Sequence, residues 1–311
     1  MELVQQLSVY GAQVNLIIVV DSSDEPNHLL INHPQVLYLA SPFKNQPYQR
    51  WLGYSKSAAD VLLFLDDDME VANEDFLNIV TNYFLDSNTV GIAINFKDKH
   101  TDTSLAAIPA SVLLKPNSFL KKVINFMTGY PNLKDGKLGL CGVRGKQPAK
   151  GGQTEWLSGG AFAARRQFLF KNFNYQLFDL FQQKTGMGED AIIGYGLSRQ
   201  GKLLYAPELL FYHNDQKDSA YSVNHFTYAK RVIFSRLYLS LEKKRLEKGN
   251  YFFAKLHYHW YVLWRLTGLL LNYLIKQNTV RYNLLKGAIA GWRLATNFKF
   301  NKYGADVSSW K

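Results

Sequence analysis

Four short apolar runs punctuate the first third of the chain: VNLIIVV at 14–20, VLYL at 36–39, VLLFL at 61–65 and VGIAI at 90–94. Each is short for a helix and bounded by polar or turn-forming residues, which predicts buried, parallel β-strands. Between them, YQRWLGYSKSAA at 48–59 and EDFLNIVTNYFL at 74–85 read as helices. In the second, Phe76, Ile79, Val80 and Tyr83 share one face at helical spacing. Strands alternating with helices predict an α/β fold, a sheet flanked by helices. Such sheets bind ligands at the carboxyl ends of their strands, so the polar residues after each run are the first candidates for chemistry.

Further along, Tyr130–Gly152 is rich in Gly, Lys and Pro and predicts a long mobile loop, either functional or disordered. A second ordered block runs from Glu155 to His213, followed by a helical region. There, Ser222–Leu241 carries Phe226, Ile233, Leu237 and Leu241 near one face, with Lys230, Arg231 and Arg236 interspersed, which predicts an amphipathic helix. Trp260–Ile275 is almost uniformly apolar but shorter than the ~20 residues a span needs, and it contains Arg265. It is not expected to cross a bilayer.

With 311 residues, 47% apolar and 14% aromatic, the chain can build a sizeable core, and disorder is excluded. One cysteine, Cys141, cannot form an internal disulfide, and no Cys/His cluster has zinc spacing, so a reducing compartment is expected and secretion disfavoured. The first ten residues, MELVQQLSVY, lack the basic and apolar regions of a signal peptide.

Charge divides the chain in two. Residues 216–311 hold 17 Lys and Arg against 4 Asp and Glu, a balance of +13, whereas residues 1–215 hold 19 against 21, a balance of −2. We therefore expect two regions, residues 1–215 and a basic helical tail at 216–311. The tail's cations alternate with aromatics such as Trp260, Tyr261 and Trp264, which fits peripheral association with a membrane surface. The competing reading packs these helices on the rest of the chain with their cations in solvent. No nucleic-acid reader motif accompanies the charge, so nucleic acid is not an expected partner.

Three clusters carry candidate chemistry. Asp66-Asp67-Asp68 directly follows the strand VLLFL, and adjacent carboxylates at a strand end repel one another unless a cation is present. Hard oxygen ligands suit Mg²⁺ or Mn²⁺, which commonly bridges protein carboxylates to substrate phosphates; the competing reading is a solvated acidic turn. Gly188-Glu189-Asp190 opens a helical segment, where carboxylates suit the helix dipole as caps. An ionised carboxylate there could also accept a proton from a hydroxyl. His213 ends the apolar run LLFYH and could offer one nitrogen to the same cation, or serve a structural role.

The order VVDSSDE, NQPYQRWLGYSKSAADVLLFLDDDME, EWLSGGAFAARRQFL and GEDAIIGYGLSRQGKLLYAPELLFYH resembles the family-2 glycosyltransferases over residues 10–213. The resemblance implies a GT-A fold, a Rossmann-type mixed sheet flanked by helices. It implies an inverting, metal-dependent transfer of a sugar from a nucleotide-diphosphate donor to a hydroxyl of a glycan or lipid-linked acceptor. Bacterial cell-surface polysaccharide synthesis, in the cytoplasm or peripherally on the inner face of the membrane, is the implied setting.

Residue by residue, the resemblance puts Asp21 by the nucleobase or ribose and Arg50 near the donor. Asp66 and Asp68 become the DxD pair, with Asp68 the direct metal ligand, Asp66 facing the ribose or metal shell, and His213 a late ligand. Asp190 is the implied base and Glu189 its acidic neighbour. Trp156, Gly159 and Gly160 are implied to wall the donor sugar and the acceptor, the glycines admitting a sugar close to the backbone.

One departure stands out: the family's first strand should precede VNLIIVV, yet about ten residues do. That departure motivates the rival reading, a non-catalytic scaffold with a degenerate glycosyltransferase fold at the membrane. Phosphatases of the haloacid dehalogenase type also open with a strand ending in DxD, but Glu70 stands where that motif prefers Thr or Val.

Overall fold

The computed structural model describes residues 2–11, 13, 14, 16–98, 123, 133–214 and 224–310. It begins with helix α1 (Glu2–Ser8), strand β1 (Ile17–Asp21), helix α2 (His28–Ile31), strand β2 (Val36–Ala40) and helix α3 (Gln46–Lys56). Strands β3 (Val61–Leu65) and β4 (Met69–Val71), helix α4 (Phe76–Tyr83) and strand β5 (Thr89–Asp98) follow. The second block holds β6 (Gly152–Gln153), β7 (Ala161–Arg165), α5 (Gln176–Gln182), α6 (Glu189–Ser198) and β8 (Lys202–His213). Three long helices close the chain: α7 (His225–Leu246), α8 (Tyr251–Ile275) and α9 (Thr279–Thr296).

All four apolar runs form strands, but not the single parallel set expected. β1 and β2 make a separate two-stranded parallel sheet, Ile17 opposite Val36 and Asp21 opposite Ala40. The main sheet runs β3-β7-β5-β8-β4, with β6 added alongside β8. β7 inserts antiparallel between β3 and β5, while β5 and β8 are parallel. The reason lies in AFAAR, whose alanines are wholly buried between neighbouring strands but carry little of the β-branched signal that marks a strand. The result is a mixed sheet flanked by helices. α4 buries Phe76 and Val80 as its spacing predicts, with Ile79 and Tyr83 packed beside them.

The predicted mobile loop is folded over its described residues 133–152; residues 130–132 lie outside them. Gly136 N–H donates to Lys146 O at 2.6 Å, Gly139 N–H to Val143 O at 2.7 Å and Gly145 N–H to Lys137 O at 2.8 Å. Leu138, Cys141 and Val143 are buried. Burial pushes the Cys141 thiol up to about 12, so it is held as a neutral core group.

α7 is not the amphipathic helix expected from 222–241, of which 222 and 223 lie outside the described residues. It is buried on several sides, from Ile233 and Phe234 through Leu241, because α8, α9 and the 133–152 loop all pack on it. Its arginines reach inward as well: Arg236 donates to Cys141 O at 2.8 Å and Gly142 O at 2.6 Å, and Arg231 to Gly186 O at 2.7 Å. Each closing helix starts after an asparagine whose side chain accepts from the first turn: Asn224, Asn250 and Asn278. Among the described residues no helix is long and apolar enough to cross a membrane.

At the end of α7, Glu247 accepts from Lys243 at 2.8 Å and from Tyr195 of α6 at 2.7 Å. Burial would raise its carboxyl, but the hydrogen bonds from Lys243, Lys244 and Tyr195 outweigh it and hold Glu247 down at about 2. A carboxyl depressed on folding adds stability above its ordinary value of 4.5 and loses it as pH falls toward 2. Glu247→Gln should therefore remove stability at pH 7 and flatten the acid limb between those values, a result that melting temperatures across that window check.

Candidate active site

The acidic triplet forms the turn between β3 and β4, and the pairing of Met69 with His213 brings the end of β8 alongside it. His213 Nε2 thereby stands 3.0 Å from Asp68 Oδ2, and Asn214 N–H donates to Asp68 O at 2.8 Å. Asp68 Oδ1 is buried without a hydrogen-bond partner. Asp67 points to solvent.

Asp66 takes a different direction. Arg50 Nη2, from α3, donates to Asp66 Oδ1 at 2.9 Å and to Gly159 O at 2.6 Å, while Nη1 donates to Glu189 Oε1 at 3.1 Å. Gln46 adds a hydrogen bond to Asp66 Oδ1 at 3.1 Å. The guanidinium lies over the Phe162 ring and is almost fully buried. Arg50 is thus a clamp joining the acidic turn to the start of α6. Burial pushes both carboxyls up: Asp66 with a further contribution from Asp68, Glu189 with one from Asp190, each opposed by Arg50.

Asp190 occupies the first turn of α6, behind Gly188, whose φ of 84° is a left-handed start that suits glycine. Its Oδ1 accepts from Arg144 Nη2 at 2.6 Å and from Ala191 N–H at 2.8 Å. Its Oδ2 lies 3.3 Å from where a Cβ on Gly159 would be, so Gly159 lines the same spot. Arg144 also stacks over Trp156, whose indole N–H is buried without a partner. Asp68 Oδ1, this indole and Gln147 Oε1 beside Trp156 are buried and unsatisfied, polar groups that ligands could pair.

Gly160 is packed rather than open. A Cβ there would sit 2.0 Å from Met69 Cε, and its carbonyl accepts from Asp66 N–H at 2.9 Å, so it seats the acidic turn on β7. Asp21 belongs to the small sheet, where it accepts from Tyr38 Oη at 2.5 Å and from Ser23 N–H at 2.7 Å. Burial would raise its carboxyl, but these hydrogen bonds hold it below the ordinary range. Asp21 has no hydrogen bond to the Asp66 group; the link is indirect, Gln49 of α3 donating to Val20 O at 3.0 Å.

The predicted residues Arg50, Asp66, Gly159, Glu189 and Asp190 therefore form one connected group, with Asp68 and His213 paired beside it. Asp66, Asp68 and His213 do not gather as one ligand set, and no three His, Cys, Asp or Glu are so grouped among the described residues. The Asp68 and His213 pair, with its unsatisfied oxygen, fits a hard divalent cation that takes its remaining ligands from substrate phosphates and water. Sequence reading missed Arg144, Gln46 and Tyr38. A lone arginine in the glycine-rich 133–152 stretch was the one available signal for the first.

The chain matches no protein-family model and no curated protein sequence. Among solved structures it resembles S. aureus TarS 1-349 at 12% identity, covering 95% of this chain and 76% of that one with a TM-score of 0.50. It also aligns with the mannosyltransferase PcManGT from Pyrobaculum calidifontis in complex with GDP-Man and Mn²⁺, at 8% identity and TM-score 0.44, over 95% of this chain and 83% of that one. TarS 1-349 in complex with UDP-GlcNAc aligns at 12% identity and TM-score 0.42, over 96% and 89% of the two chains. The fold is that of the GT-A glycosyltransferases: mixed α/β, with a central mixed sheet between helices.

Proposed function

We propose that the chain is an inverting, family-2-type glycosyltransferase that moves a sugar from a nucleotide-diphosphate donor to a hydroxyl of a glycan or lipid-linked acceptor. The observation that carries this reading is the connected group at the sheet's edge: Asp190 beside Gly159, joined through Glu189 and Arg50 to the acidic turn. In this reading residues 1–215 are the catalytic unit and 216–311 a basic helical region. The setting is bacterial cell-surface polysaccharide synthesis, at the inner face of the cell membrane.

Asp190 serves as the base. Its carboxylate takes the acceptor proton as the hydroxyl oxygen bonds to the anomeric carbon, and the bond from that carbon to the diphosphate oxygen breaks on the opposite face. Arg144 and the helix N-terminus hold the carboxylate in place, and Trp156 and Gly159 wall the acceptor side. Asp21 faces the nucleoside, with Asp66 and Arg50 fixing the floor below the donor. A Mg²⁺ or Mn²⁺ ion, held by Asp68 and His213, would supply charge neutralisation for the diphosphate.

Thermal shift with UDP-GlcNAc and GDP-Man, each with and without Mn²⁺, tests the donor site. A hundredfold excess over Kd stabilises by about 2.7 kcal/mol, enough for a clear rise in Tm. The rise should need the metal and vanish in Asp68→Ala. Failure of every nucleotide sugar, across a panel of bases, to shift the parent would sink the donor reading.

A further inference from the structure

From residue 248 to 305 the chain holds nine Lys and Arg and not one Asp or Glu. Two features on these helices coincide with that charge. First, α8 leaves an apolar stripe uncovered: Phe252, Leu256, Leu263, Leu270 and Leu274 fall at helical spacing and are each 45–65% exposed. Such a face is much larger than the scattered apolar residues of an ordinary surface.

Second, a groove of about 610 Å³ lies between α7 and α9. The two helices cross closely because Gly287 and Gly291 meet backbone: a Cβ would sit 2.2 Å from Phe226 O and 2.4 Å from Lys230 O. Beside that crossing, Phe226 and Ile289 give the groove apolar walls, and Lys230, Lys286 and Arg293 line it with three cations. None of the three meets a carboxylate among the described residues. Tyr282 also lines the groove, and its ring meets that of Tyr273 of α8 in a tilted contact, ring centroids 5.8 Å apart, so one wall of the groove touches α8.

We propose that the groove between α7 and α9 binds an anionic membrane phospholipid, its phosphate held by Lys230, Lys286 and Arg293 and its acyl chain against Phe226 and Ile289, while α8 lies in the interface. This rests on the membrane-association reading given above and supplies its lipid site. The pairing of apolar walls with three cations asks for a ligand that is both greasy and anionic. A second copy of the chain is disfavoured as the occupant, because this surface would meet its own positive charge. Aromatic and apolar residues on one helix with cations around them match the depth profile of a headgroup region.

Flotation of the full chain with phosphatidylcholine vesicles, with and without phosphatidylglycerol, tests this without donor or acceptor, and so independently of sugar transfer. The parent should float with phosphatidylglycerol vesicles alone and be released by salt. Lys230→Gln/Lys286→Gln/Arg293→Gln should lose binding by roughly a hundredfold with an unchanged melting temperature. A charge-matched control, Lys255→Gln/Lys276→Gln/Lys299→Gln, removes three cations outside the groove and should lose far less. Inorganic phosphate at matched ionic strength should not displace the vesicles. Failure of the parent to float overturns membrane association and the groove together. Equal losses in the two triple variants, or release by inorganic phosphate, overturn the groove alone.

Discussion

Asp190→Asn is expected to lower sugar transfer by about 10²–10⁴-fold, the range a positioned general base contributes, with nucleotide-sugar binding preserved. The two side chains have the same shape, and the asparagine oxygen can still accept from Arg144 and from Ala191 N–H, which the carboxylate meets at 2.6 and 2.8 Å. What the amide cannot do is take a proton. The donor contacts proposed at Asp21, Asp66 and Asp68 are untouched, so the loss should fall on kcat with the donor KM little changed. Steady-state kinetics alongside the thermal-shift panel separates the outcomes. Transfer at the parent rate would remove Asp190 from its role, and a parallel loss of donor binding would mean the substitution had disturbed the whole group.

Much of this site could be read from the sequence because its parts sit at element boundaries. The triplet Asp66–Asp68 follows a strand whose five apolar residues are unmistakable, and Gly188-Glu189-Asp190 opens a helix with a recognisable start. Side-chain connections were not legible. Nothing in one dimension shows that Arg50 turns toward both Glu189, 139 positions away, and Asp66, 16 away. The glycines of 133–152 suggested mobility, yet Gly136 and Gly142 use positive φ to fold a turn that carries Arg144 to Asp190. Sheet order failed at β7, because Ala161, Ala163 and Ala164 are chosen for tight packing between strands rather than for β propensity. In the helical region the sequence showed cations and aromatics together but assigned the amphipathic face to α7. Helical spacing alone cannot tell a helix packed on several sides from one facing solvent, and it is α8 that is left uncovered.

Arg50→Ala should be strongly destabilising. It leaves Asp66 and Glu189 facing one another's neighbourhood with their shared counter-charge gone, and breaking a buried pair in this way costs about 3–5 kcal/mol. A drop in Tm on the order of 10 °C follows at about 2–4 °C per kcal/mol. The pH dependence distinguishes this from simple loss of packing. Burial already raises both carboxyls above their ordinary values of 3.8 and 4.5, with Arg50 opposing the rise. Without Arg50 they rise further, so the native chain binds these protons more tightly than the unfolded one. Stability then falls as pH climbs from those ordinary values through the folded ones. The deficit should be small at pH 5 and large at pH 8, measured by thermal melts of parent and variant side by side. Arg50→Lys should recover only part of it, since an ammonium lacks the planar fork that reaches Asp66, Glu189 and Gly159 O together. Adding Asp66→Asn and Glu189→Gln to Arg50→Ala should remove most of the pH dependence, because the two carboxyls that Arg50 bridges are gone and the nearby Asp190 keeps its partner Arg144. A deficit independent of pH in Arg50→Ala itself would show that the arginine acts by filling space over Phe162 rather than by holding the two carboxylates together.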